Sequence, residues 1–136
     1  MWTGAPPAVR AVALGTVLVL AYGTLVHVVQ LMAAGLAPYP ELPGWLRVYF
    51  VGLTAVDPLA AVLLARRRRS GVLLAVAVLV TDALANGWAA YALDPAGGVT
   101  AARVGQAVVT ALALAVTAAA LPMWRHATGS GGSEVG

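Results

Sequence analysis

The chain has 136 residues, 61% of them hydrophobic and 10% charged, with a formal net charge of +3. A soluble domain is about 25% charged, and eight basic plus five acidic residues cannot clothe a soluble surface. With no cysteine, a disulfide-stapled secreted fold is excluded as well, which leaves an integral membrane protein.

The first apolar stretch runs from Val9 to Gly35 and carries His27 and Gln30. It is far longer than the roughly 7–15 apolar residues of a signal peptide, so it is read as a retained span. Pro38, Pro40, Pro43 and Gly44 then break the chain. The second stretch, Arg47 to Ala65, carries Thr54, Asp57 and Pro58. Proline has no N–H, so the carbonyl of Thr54 loses its helical partner and a kink is predicted near Asp57. Arg66, Arg67, Arg68 and Arg69 make a tight turn into the third stretch, Gly71 to Leu93, which carries Thr81, Asp82 and Asn86. Asp94-Pro95-Ala96-Gly97-Gly98 is a turn. The fourth stretch, Val104 to Trp124, carries Gln106, Thr110 and Thr117. The Gly/Ser-rich tail over 127–136 is expected to be a disordered cytoplasmic segment.

Each stretch matches the ~20 residues a helix needs to cross ~30 Å of hydrocarbon. None alternates with period two, so strands are not expected. The predicted fold is all-α: a four-helix transmembrane bundle, one membrane domain over residues 1–126. Arg10, Arg66 to Arg69 and Arg125 fall on one side, against Arg47 and Arg103 on the other. The positive-inside rule then places both termini in the cytoplasm, in a multi-pass protein of the inner (plasma) membrane. Tyr39, Trp45, Tyr49, Trp88 and Tyr91 fit the outer aromatic belt, and Trp2 and Trp124 the inner boundary. The arginine run is read as a topology determinant rather than a site for anionic lipid. No basic surface interleaved with aromatics points to nucleic acid.

The informative residues are the polar ones at membrane depth. An aspartate at a helix centre costs about 2.5–3.5 kcal/mol on insertion scales, and Asp57 and Asp82 both count out near the midplane. His27 and Gln30 share a helical face; so do Thr54 and Asp57, Asp82 and Asn86, and Gln106, Thr110 and Thr117. The economical packing turns every stripe inward, toward one polar cluster open to the outer side. Asp57, Asp82 and His27 are the candidates for proton transfer or ligand contact, with Gln30, Thr54, Asn86 and Gln106 as ligand-binding partners. The structural alternative pairs Asp57 with His27, and Asp82 with Asn86 or Gln106, only to hold the bundle together. One histidine and two aspartates without tight spacing do not make a metal motif, and no cofactor motif is present.

Four short spans, the Pro-rich loop into Pro43-Gly44-Trp45, a following span with an acid and Pro58, and His27 in span one resemble the EXPERA group of membrane proteins. That group holds the emopamil-binding protein and the sigma-2 receptor, and the likeness covers roughly residues 20 to 120. The resemblance implies a sterol or amphipathic cationic amine held by acids inside the bundle. The group's acid on the second span falls one turn nearer the Trp, where this chain has Leu53 and Thr54; its acid late in span one has no match over 32–36. The use of Ala, Val and Arg over Lys resembles high-GC, actinobacterial-type coding. Three functions fit the residues: a binder of a small apolar or amphipathic ligand, extending to a proton-transfer isomerase; a proton-coupled transporter acting as a homo-oligomer; and a non-catalytic partner subunit.

Overall fold

The structure, a computed structural model, describes residues 1–35, 40–93, 95 and 97–128. Pro38, Tyr39, Asp94, Ala96 and the tail from 129 lie outside the described residues, and with them parts of the expected loop, turn and tail.

Helix α1 spans Pro7–Ala34, with proline at its first position, where a missing N–H costs nothing. It ends at Gly35, whose φ of 63° suits glycine. Helix α2 spans Gly44–Ala65 and runs through Pro58 without a break. Helix α3 spans Arg69–Trp88 and widens into a π-helical turn over Ala89–Leu93. Helix α4 spans Ala101–His126. Its N-cap is Thr100, whose Oγ1 accepts from the Arg103 N–H at 3.2 Å. Arg125 and His126 sit in its last turn, where positive charge suits the helix dipole. All four helices are long and apolar enough to cross a membrane, and the described residues hold no named strand. The helices overrun most of the apolar stretches by two or three residues at their ends. Hydrophobicity marks the part of a helix in lipid, whereas proline, glycine and threonine set where it starts and stops.

Each helix packs on its sequence neighbours, and α1 closes the ring against α4 through the least extensive contact. The segment before α1, the end of α4 and the α2–α3 turn meet at one end of this bundle, here called the terminal end. Arg67 joins them: its guanidinium donates to the carbonyls of Thr3 at 3.0 Å and His126 at 2.6 Å, and its own carbonyl accepts from the Thr128 N–H at 2.7 Å. Trp2 is fully buried beside it and donates Nε1–H to the Leu64 carbonyl at 3.0 Å. These contacts add to two expectations. The Trp2 indole, read as marking the inner boundary, also fills the end of the core and satisfies the C-terminal turn of α2. Arg67, read as part of a topology determinant, also ties the segment before α1 to the end of α4.

Burial is uneven along the bundle. On α1 the buried residues are Val9, Ala13, Thr16 and Leu20, all in its first half. On α4 they are Ala113, Val116 and Met123, all at or beyond its midpoint. Both sets lie toward the terminal end, where the helices pack tightly. The far half of α1 buries nothing fully, and space opens there between the helices. Four hydroxyls in the spans are satisfied locally: Thr16, Thr24, Thr81 and Thr117 each donate to the carbonyl four residues back.

Candidate functional site

The space in the far half is a cavity of about 340 Å³. Its wall carries His27 and Gln30 from α1, Asp57 from α2, and Asp82 and Asn86 from α3. Val109 is the contribution from α4. The rest of the lining is mainly apolar, including Leu20, Val26, Phe50, Val78 and Leu79. Five of the seven residues expected to form a site thus share one cavity. Asp57 and Asp82 face the same space, as the inward-turned stripes required.

Asp57 is 5% exposed, on the side of α2 that faces α1. Its Oδ2 lies 4.0 Å from His27 Nε2, an electrostatic contact longer than a hydrogen bond. Its Oδ1 is buried and has no hydrogen-bond partner among the described residues. Gly23 makes this arrangement fit, because a Cβ there would stand 2.7 Å from Asp57 Oδ2. The His27 ring lies 6.2 Å from that of Phe50, and Gln30, one turn on, is its hydrogen-bond partner.

Asp82 is held differently. Its Oδ1 accepts from Asn86 Nδ2 at 2.7 Å, and the same nitrogen donates to the Asp82 carbonyl at 3.0 Å. One residue earlier, Thr81 Oγ1 accepts from the Tyr49 hydroxyl at 2.9 Å, tying α2 to α3. Tyr49 was read from sequence as a belt aromatic. The signal that it does more is a phenol and a threonine both lying within spans, where each hydroxyl needs a partner.

Thr54 and Gln106 do not line the cavity. Thr54 Oγ1 is buried without a partner among the described residues. Gln106 lies in a groove between α3 and α4, where Nε2 donates to the Ala83 carbonyl at 2.7 Å and to Thr110 Oγ1 at 3.0 Å. Of the pairings expected for Asp82, the one with Asn86 forms and the one with Gln106 does not. Thr117, expected on the same inward stripe, is exposed, because the buried face of α4 there runs through Ala113 and Val116.

No group of three or more His, Cys, Asp or Glu among the described residues could hold a metal ion. The cavity instead joins two carboxyl groups and an imidazole to apolar walls, with no arginine in the lining. Such a wall suits a ligand with a small polar or positively charged head and an apolar body. Aromatic contacts lie at the end of the bundle away from the terminal end: Trp45 and Trp88 pack at a tilt with ring centroids 5.3 Å apart, and the Arg103 guanidinium lies 5.0 Å from the Tyr91 ring centroid. No protein family, curated protein or solved structure matches the chain.

Proposed function

We propose that this four-helix membrane protein holds a small amphipathic ligand in the cavity, with the polar or cationic head at Asp57 and Asp82. The ligand's apolar part would lie along Phe50, Val78 and Leu79. One observation carries the reading: polar side chains from three helices converge on one apolar-walled space of about 340 Å³. A cluster that served packing alone would close on itself. Here the carboxyl groups line open space, and Asp57 Oδ1 has no partner among the described residues.

The His27–Asp57 contact of 4.0 Å favours a second reading of the same site, proton-transfer isomerisation of the bound ligand. The close packing of the terminal end weighs against a path through one copy of the chain, so transport would need a homo-oligomer. The positive-inside rule supports a plasma-membrane protein with the arginine-rich terminal end toward the cytoplasm.

The test is binding of an amphipathic amine to the purified chain and to Asp57→Asn and Asp82→Asn variants. Folded variants that have lost binding support the reading. Folded variants that bind as the unmodified chain does would sink it. Mass spectrometry of co-purified small molecules, compared between the unmodified chain and the double variant, identifies the ligand.

A further inference from the structure

Gln106 stands behind the cavity's α3 wall. Asp82 and Asn86 face the cavity, while their chain neighbours Ala83 and Gly87 face the groove that holds Gln106. Each turn of α3 therefore offers one residue to the site and the next to α4.

The contacts on the two sides meet in the same turn of backbone. On the cavity side, Asn86 Nδ2 donates to the Asp82 carbonyl and to its Oδ1. On the groove side, Gln106 Nε2 donates to the very next carbonyl, that of Ala83, at 2.7 Å. Gly87 admits this approach, since a Cβ there would stand 2.9 Å from Gln106 Nε2. Two residues after Gly87 the α-helix gives way to the π-helical turn over Ala89–Leu93. Helical hydrogen bonding changes pattern there. Both donors of the Gln106 amide are used, the second on Thr110 Oγ1 at 3.0 Å, while its Oε1 is buried with no partner among the described residues. The amide nitrogen does the holding.

We propose that Gln106 is a positioning residue: by binding the Ala83 carbonyl from α4, it sets the turn of α3 that presents the Asp82–Asn86 pair to the cavity. Gln106 touches nothing in the cavity itself. The proposal rests on the cavity reading above for its importance to a ligand, though not for the geometry it asserts.

Asn86 is the sole asparagine in the chain. Labelling the full-length protein in detergent micelles with ¹⁵N-asparagine therefore gives one side-chain amide pair in a nuclear magnetic resonance spectrum. Asp82→Ala supplies the position of that pair when its bond to Asp82 Oδ1 is lost. Gln106→Met is expected to move the pair from its place in the unmodified chain toward the Asp82→Ala position. Thr110→Val, which leaves the bond to Ala83 in place, is expected to leave it where it was. Gln106→Leu has no donor and a similar reach, and it replaces Gln106→Met if that variant does not fold. A folded Gln106 variant with an unmoved Asn86 pair overturns the proposal, as does a Thr110→Val shift equal to that of the Gln106 variant. Titration with benzyltrimethylammonium separates the two claims. If the Asn86 pair moves in the Gln106 variant while the unmodified chain binds no such cation, Gln106 still positions the pair and the cation-binding reading fails. If the unmodified chain binds the cation while the pair stays unmoved, the positioning role fails alone.

Discussion

Trp2 and Arg67 meet at the terminal end, with the guanidinium carbon 5.8 Å from the indole ring centroid. Both residues hold left-handed backbone, with φ of 55° and 58°. They are the only non-glycine residues with positive φ among those described. Such a conformation costs a side-chain-bearing residue roughly 1–2 kcal/mol. The hydrogen bonds to Leu64, Thr3 and His126 offset that cost.

Arg67→Ala removes two charge-assisted hydrogen bonds and the ring contact while keeping the backbone strain. It is expected to destabilise the bundle by about 2–3 kcal/mol. Arg67→Gly loses the same contacts but relieves the strain, and should be about 1 kcal/mol less destabilised than Arg67→Ala. Thermal unfolding in detergent ranks the two, and a reversed order would show that the left-handed backbone is not strained.

At Trp2, size and hydrogen bonding separate. Trp2→Phe keeps an aromatic ring and loses the bond to the Leu64 carbonyl, for an expected loss of about 1 kcal/mol. Trp2→Ala empties a fully buried site, for an expected loss of about 3 kcal/mol. Equal effects in an unfolding assay would mean that the hydrogen bond carries the whole contribution.

Two glycines of α1 give opposite expectations. A Cβ at Gly23 would press on Asp57 Oδ2, whereas one at Gly15 would meet nothing within 4 Å. Gly23→Ala should therefore displace the carboxyl group and weaken binding of an amphipathic amine. Gly15→Ala should leave binding unchanged and stabilise α1 by up to about 1 kcal/mol. Paired binding and melting curves check both, and unaltered binding in Gly23→Ala would show that the position of Asp57 Oδ2 does not matter to the ligand.

Gly71 lies where α3 crosses closest to the end of α2. A Cβ there would collide with the backbone of Leu63 and Leu64, which cannot yield as a side chain can. Gly71→Ala is expected to cost about 3 kcal/mol or more, read as loss of the monodisperse species on size exclusion. A normally folded Gly71→Ala would mean that the α2–α3 turn shifts freely.

The helices were legible because each needs a long apolar run, and the polar stripes were legible because charge at membrane depth demands a partner. That reasoning brought His27, Gln30, Asp57, Asp82 and Asn86 to one cavity. It misplaced Gln106 because helical spacing fixes which residues share a face, not which neighbour the face meets. Gln106 shares its stripe with Ala113, which is buried, yet it turns to α3 rather than to the cavity. Trp2 and Arg67 were read by statistical habit, as a belt aromatic and an orienting charge. Their tertiary role depends on three distant segments meeting, which no local pattern encodes. The π-helical turn over Ala89–Leu93 has no sequence signature for the same reason.

One guanidinium grips the carbonyls of Thr3 and His126, so the beginning and the end of the helical chain are already clasped to a shared post. In connectivity the bundle is close to a ring: four helices in sequence, with the last handed back to the first. A short linker from the end of α4 to the residues before α1 would span a gap that Arg67 already closes. Opening the chain elsewhere, between α3 and α4, would then yield a circular permutant that keeps every pair of neighbouring helices.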